Sequence, residues 1–356
     1  MAIQSAQRKK KPLKNRFQRL ILFVLTIAII VSLIIAYNLF QRIMGPNVKT
    51  PDGKAVSVII PTGSTFGQVK EMLYGKGLII NHWSFEWMAE RKNYSNQVKP
   101  GHYLLEESMS NNQLINMLRA GLQAPVRVVF NNARKKEDLA AKVALQIEAD
   151  SLALMKCWRD KAFLKTINTT PDDVFALFIP NTYEMWWTTD AYEFTERMYR
   201  ENKAFWNEER KIKAGAAGLS TREIMILASI VEKETQKNDE KKSIAGVYIN
   251  RLRKGWPLQA DPTVVYAVGD FEIKRVLKVH TQIDSPYNTY LRKGLPPGPI
   301  CMPSIASIDA VLNFEKHNYM FFCARPDLSG YHAFARTLSE HNRNAKAYQR
   351  AISNRK

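Results

Sequence analysis

The chain has 356 residues, 46% of them hydrophobic and rich in Phe, Tyr and Trp, which is enough for two folded units and rules out a stalk or a disordered tail. Its 52 Lys and Arg against 33 Asp and Glu give +19, and residues 1–50 hold nine of the basic residues and no acid, so the remainder keeps an excess of ten positive charges. That excess is dispersed after residue 50, which suits a solvated surface, anionic lipid or an acidic wall polymer rather than nucleic acid.

A basic tail, 1–19, carries Arg8, Lys9, Lys10, Lys11, Lys14, Arg16 and Arg19 and precedes 21 uncharged residues, 20–40. At about 1.5 Å per residue that run spans the ~30 Å hydrocarbon core of a bilayer as a transmembrane helix. The basic flank places the N-terminus in the cytoplasm and the rest of the chain outside. A cleaved signal peptide is opposed by the length of the run and by Tyr37-Asn38-Leu39-Phe40, where a small-x-small site would stand.

Residues 41–54, with Pro46 and Pro51-Asp52-Gly53, read as a linker. A small α+β unit follows over 55–121. Val56, Val58 and Ile60 alternate as a strand, and Pro61-Thr62-Gly63-Ser64 turns the chain into a helix striped by Phe66, Val69 and Leu73 that closes at Gly75 or Gly77. A second helix after Asn81 carries Trp83, Phe85 and Met88, and a strand opens at Pro100-Gly101 through His102, Tyr103 and Leu104. A third helix, capped by Ser110 or Asn111, carries Leu114, Ile115 and Leu118 and ends at Gly121. Without a cluster of reactive polar groups, this unit reads as a binding or spacing element. Trp83, Phe85 and Trp87 could stack on sugars, although helical spacing favours burial in the core.

A larger mixed α+β unit, 126–356, opens with the alternation of Val126, Val128 and Phe130 and a helix over 138–147. It shows no internal repeat, no GxGxxG and no Walker pattern, so nucleotide chemistry has no support. Cys157, Cys301 and Cys323 form no CxxC pair; Cys301 and Cys323 could bridge in an oxidising compartment, and buried free thiols fit equally well. Six scattered His without HExxH signal no metal, and no cofactor is implied.

Ser220-Thr221-Arg222-Glu223 has the spacing of a capping box and predicts a helix running to Thr235. Ile224, Leu227, Ala228 and Val231 share its apolar face, and Glu234, three residues after Val231, projects from that face; Glu232 falls at its margin and Lys233 points away. Desolvation there disfavours the charged carboxylate and lets it hold a proton near neutral pH, as a general acid in glycosidic cleavage must. An ion pair or a loop cap is the plain alternative on spacing alone. The next helix, 241–254, turns Ile244, Val247, Tyr248 and Leu252 inward and stops at Gly255. The loops beyond it supply Gln259, Asp261, Thr263, Tyr266, Tyr287, Asn288, Thr289 and Tyr290, amide, hydroxyl and aromatic groups suited to sugar binding, although Pro-Tyr-Asn and Pro-Pro-Gly are also ordinary turn formers.

The runs Ala228-Ser229-Ile230-Val231-Glu232-Lys233-Glu234-Thr235, Asn250-Arg251-Leu252, Leu258-Gln259-Ala260-Asp261-Pro262-Thr263, Tyr287-Asn288-Thr289-Tyr290 and Gly294-Leu295-Pro296-Pro297-Gly298 together resemble the endolytic murein transglycosylase, or YceG-like, family. His332-x-Phe334 and Glu340-His341-Asn342 fit the same pattern. The resemblance covers essentially the whole chain beyond the transmembrane helix. It implies a single-pass protein of the cytoplasmic (inner) membrane with a LysM-like subdomain at 55–121 and a catalytic domain at 126–356. It also implies non-hydrolytic cleavage between N-acetylmuramic acid and N-acetylglucosamine that leaves a 1,6-anhydro-muramic end and limits strand length. The family's catalytic glutamate maps onto Glu234, and the implied partners are peptidoglycan strands, the membrane and peptidoglycan synthases, with no nucleic acid. Ile179-Pro180-Asn181-Thr182-Tyr183 departs from the Pro-Asp-Thr pattern of many relatives, which puts a second carboxylate there in doubt. The competing readings are a muramidase, assisted by a second acid such as Glu184, Glu232 or Asp261, and a catalytically silent wall-binding scaffold.

Overall fold

The computed structural model describes residues 13–354, and its contacts divide the chain into two units at Pro125 and Val126. Most of the basic tail, 1–12, lies outside the described residues. Helix α1 (Leu13–Met44) is exposed all round from residue 17 to 42, as an apolar helix without a protein partner must be, and it fits a single-pass anchor.

The small unit follows in the order β1 (Val56–Ile60), α2 (Phe66–Gly75), α3 (His82–Arg91), β2 (Gly101–Leu105) and α4 (Asn111–Ala120), so every expected element is present. β1 and β2 pair antiparallel with Val58 opposite Tyr103, and the alternate residues Val58, Ile60, Tyr103 and Leu105 face a core completed by Val69, Leu73, Phe85, Leu114 and Leu118. Phe85 is buried there, while Trp83 stays exposed. Two capping boxes start α2 and α4, each pairing a hydroxyl N-cap with a Gln three residues on: Thr65 with Gln68, and Ser110 with Gln113.

The expectation of a linker over 41–54 needs correcting. α1 continues to Met44, Ile43 packs on the small core, Val48 is fully buried, and short bridges join Pro46 to Ser110 and Val48 to Ile79. Asn47, Val48 and Thr50 are buried, so residues 43–50 belong to the fold, while Pro51-Asp52-Gly53 remains an exposed turn.

The large unit begins with β3 (Val126–Phe130), α5 (Lys136–Ala144), α6 (Ser151–Cys157), α7 (Lys161–Thr166), β4 (Asn181–Met185) and α8 (Ala191–Phe205). β3 and β4 pair antiparallel with Val128 opposite Tyr183, and their inner face packs with the helices around Trp158 and Phe178. The Trp158 indole N–H is satisfied by Thr195 Oγ1 at 2.9 Å, as a buried donor requires. α5 starts and ends earlier than the sequence suggests, because Asp138 caps backward onto the amides of Arg134 and Lys135.

A second core joins α9 (Glu208–Ala217), α10 (Thr221–Glu234), α11 (Lys241–Arg253), α12 (Asp261–Val268) and α13 (Ile305–Leu312). The chain closes with a hairpin of β5 (Phe321–Ala324) and β6 (His332–Ala335), then α14 (Leu338–Ser353). Gly246 lets α11 lie against the segment before β5, since a Cβ there would stand 2.4 Å from the Glu315 carbonyl oxygen. Gly255, at φ +65°, closes α11 with the Trp256 amide bonded back to Arg251.

Candidate active site

The site is built at the end of α10. Its N-terminus is fixed by the expected box, in which Ser220 Oγ accepts from the Glu223 amide and the Glu223 carboxylate accepts from the Ser220 amide. From Ile224 to Val231 every residue is buried, so the helix is enclosed on all faces rather than amphipathic. Thr235 then leaves the helix in extended conformation and anchors the turn by accepting from the Lys237 amide. The last turn is thereby held rigidly, with Glu234 half-buried where the core opens into a cleft.

Glu234 Oε1 accepts a hydrogen bond from the phenol of Tyr248, a fully buried residue of α11. Burial is the main cause that raises the Glu234 carboxyl to about 7; the nearby Asp261 charge raises it further, and the Tyr248 hydrogen bond and Arg251 charge work against both. Burial and the neighbouring Glu234 push the Tyr248 phenol well above its ordinary value, so it remains a donor. Arg251 does not pair with Glu234. Its guanidinium donates to the Met320 carbonyl at 2.8 Å and the Leu258 carbonyl at 2.6 Å, and lies over Phe321. The carboxylate is thus tuned without being neutralised.

Glu232, two residues earlier, lies in a different environment. It accepts from Ser304 Oγ at 2.5 Å, from Ser307 Oγ, and from Lys241 Nζ at 3.2 Å. Burial would raise it, but these donors outweigh that and hold it below the ordinary carboxylate range. It ties α10 to the first residue of α11 and to the N-terminus of α13.

The cleft has a volume of about 980 Å³, at the upper end of the roughly 300–1,000 Å³ of small-molecule sites. Glu234 and Asp261 are the carboxylates among its described lining residues. Arg134, Lys233, Lys274 and Arg275 form a basic rim, and none of them has an ion-pair partner among the described residues. Arg134 instead lies over Phe271 at 4.7 Å from the ring centroid. Tyr348 and Gln349 of α14 close another side.

The other sequence-predicted residues do not all reach the cleft. Asp261 and Tyr266 line the cleft; Asp261, in the first turn of α12, is exposed and accepts from the Tyr290 phenol at 2.5 Å, and Tyr287 packs on Tyr266 at 4.7 Å between centroids. Thr263, Asn288 and Thr289 are buried, and their polar groups are used inside the protein. Thr263 and Thr289 bond to each other and to Ala260, and the Asn288 amide donates to the carbonyls of Thr281 and Ile283. They hold the loops that carry Asp261 and Tyr290. Gln259 is exposed outside the cleft lining, at φ +49°, with its backbone amide bonded to Thr289. Glu184 and Asn181 lie on β4 beside a separate surface groove with Arg197 and Glu201. The three cysteines are free thiols, and among the described residues no group of three His, Cys, Asp or Glu side chains converges as a metal site would require.

Tyr248 and Arg251 are the neighbours of Glu234 that sequence reasoning did not assign to the site, although Tyr248 was read as inward-facing on a predicted helix and Arg251 stood in the Asn250-Arg251-Leu252 run. A buried Tyr or Arg needs partners for its polar end, and that need was the available signal. His332 and His341 take structural positions. His332 Nδ1 bonds Glu240 at 2.8 Å, and His341 stacks on Phe321, which fastens the C-terminal segment to α11.

A family model described as the YceG-like family matches residues 58–347. The chain is 28% identical over 309 residues to the endolytic murein transglycosylase of Bacillus subtilis (strain 168), covering 82% of this chain and 84% of that protein. It is 29% identical over 325 residues to the protein of the same name from Streptococcus pneumoniae R6, but spans only 58% of that protein's length. Among solved structures it is similar to a yceG-like protein from Listeria monocytogenes, with a TM-score of 0.55 and 29% identity, over 82% of this chain and 98% of that one.

Proposed function

This chain belongs to the YceG-like family, and from that premise we propose that it is an endolytic murein transglycosylase, a lyase that cuts peptidoglycan glycan between N-acetylmuramic acid and N-acetylglucosamine. The observation that carries the reading is Glu234, a carboxyl that burial raises to about 7, at the edge of a large cleft. At neutral pH such a group is present in both protonation states, as one residue acting first as acid and then as base must be.

The chemistry then needs a single proton carrier. Tyr248 occupies Oε1, which leaves Oε2 for the substrate. Glu234 gives its proton to the glycosidic oxygen as the bond to the muramic C1 breaks. The C6 hydroxyl of the same muramic residue attacks C1, its proton returns to Glu234, and a 1,6-anhydro ring closes without consuming water. Asp261 offers a negative charge to the positive character that develops at C1. Tyr266 and Tyr290 border the sugar path, and the unpaired rim of Arg134, Lys233, Lys274 and Arg275 suits carboxylates of the peptide stems that muramic acid carries.

The same reading puts the basic tail in the cytoplasm and both folded units outside the cytoplasmic membrane. The small unit, LysM-like in this reading, holds glycan there, and synthases that lay down new strands are the neighbouring partners. Mass spectrometry of strands digested by the purified protein tests the proposal, with anhydro-muramic ends expected. Reducing muramic ends would identify a muramidase with Asp261 as the assisting carboxylate, and the absence of both kinds of end would leave a non-catalytic binder.

A further inference from the structure

The junction between α1 and the small unit is tied by buried hydrogen bonds, and it carries an exposed apolar patch outside the small core. The Asn111 amide donates to the Arg42 carbonyl at 3.0 Å and to Ser84 Oγ; Asn47 bonds to Asn111 at 2.7 Å and to the Asn81 carbonyl at 3.1 Å. Asn47 and Asn111 are buried, so these bonds are shielded from water and fix the helix exit against α3 and α4. Around that exit Met44, Ile80 and Trp83 are all at least half exposed. The Ile80 amide bonds the Asn47 carbonyl, which places Ile80 beside the chain leaving α1. Trp83 and Trp87, one turn apart on α3, stack with centroids 6.5 Å apart; Arg42 lies over Trp83 at 4.4 Å and Arg91 over Trp87 at 5.4 Å.

Arg42 stands two residues past the uncharged run, or about 3 Å along the helix axis. The interfacial layer on each side of the hydrocarbon core is roughly 5–7 Å thick, so a ring packed on Arg42 sits within it. Indoles prefer that layer because their apolar body and N–H are both accommodated there, and guanidinium groups beside them face lipid phosphates.

We infer that Met44, Ile80 and Trp83, with Trp87 stacked behind Trp83, seat the small unit on the headgroup layer of the bilayer that α1 spans, which removes this aromatic face from sugar binding. The inference rests on α1 being a membrane span. It is independent of the catalytic chemistry.

The test uses the full chain in phosphatidylethanolamine and phosphatidylglycerol vesicles, with Cys323→Ser and with Trp83→Cys or, as a second site, Ile80→Cys, labelled with an environment-sensitive fluorophore. The expected result is blue-shifted emission, quenching by lipid carrying a nitroxide near its glycerol, and protection from iodide. Quenching by iodide in protein that floats with the vesicles would overturn the seat while leaving the anchor intact. Protection from both quenchers would mean that protein covers the patch, and protection gained only on adding soluble glycan would return it to sugar; either overturns the inference. Failure to float with vesicles would remove the anchor and the inference together.

Discussion

Glu232 and Glu234 stand two residues apart on α10, yet the first is held below the usual carboxylate range by Ser304, Ser307 and Lys241, while the second is raised to about 7 by burial. A shift of two residues turns a helical side chain by ~200°. One carboxylate therefore faces the donors of α11 and α13, and the other faces Tyr248 and the cleft. The first is suited to structure and the second to proton transfer.

Replacing Glu234 by Gln is expected to lower release of anhydro-muramic ends by on the order of 10²- to 10⁴-fold, because the amide keeps the size of the carboxyl but cannot give and recover a proton. The stability effect depends on pH. The folded chain binds this proton more tightly than the unfolded chain, so between the ordinary value of 4.5 and about 7 wild-type stability falls as pH rises. The Gln variant lacks that loss, and its melting temperature relative to wild type should rise between pH 5 and pH 8. A difference that stayed flat with pH would contradict the raised carboxyl.

Tyr248→Phe removes the hydrogen bond that favours the Glu234 carboxylate. The carboxyl should then titrate at still higher pH, moving the corresponding limb of the pH–rate profile to the alkaline side. A fall in rate with an unmoved limb would assign Tyr248 to packing alone.

Glu232→Ala leaves Lys241, itself buried, without its ion-pair partner and Ser307 without its acceptor. Loss of one side of a buried pair costs about 3 kcal/mol, so a clear drop in melting temperature is expected at neutral pH. Because the folded-state value of Glu232 is depressed, the wild-type advantage should be present above the ordinary carboxylate value and disappear as pH falls through the depressed one. The milder Glu232→Gln should retain far more cleavage than Glu234→Gln once folded. An inactive Glu232→Gln beside an active Glu234→Gln would show that the wrong acid had been chosen.

The double variant Lys274→Ala, Arg275→Ala should cut peptide-bearing strands less well while cutting amidase-stripped strands as before. Charge-assisted contacts to a carboxylate of about 1.5–3 kcal/mol correspond to roughly 10- to 150-fold in relative rate. Equal loss on both substrates would place these residues on the sugar rather than the stem.

A reporter active only in the cytoplasm should work when fused at residue 5 and fail when fused after residue 60, as the basic flank and uncharged run require. The opposite pattern would reverse the topology and exclude a wall substrate.

The sequence by itself determined the apolar span, the order of elements in the small unit, the boundaries of α10 and α11, and the apolar face of α10 from which Glu234 projects. These follow from local rules: capping boxes bond within one turn, glycine tolerates positive φ at helix ends, and hydrophobic period reports which way a side chain points. Tertiary structure alone decided the rest. The stretch 41–54 looked like a linker because Pro46 and Pro51-Asp52-Gly53 are local turn signals, whereas the packing of its first part depends on β-bridges from Pro46 and Val48 to residues 64 and 31 positions further along. Thr263, Asn288 and Thr289 resembled sugar ligands because composition cannot tell a hydrogen bond made to substrate from one made within the protein. Tyr248 gained its role only when α11 was laid against α10, bringing its phenol to a carboxylate 14 residues earlier. Desolvation comes from every element packed around a group, which is why the protonation of Glu234 is a property of the assembled core and not of its helix.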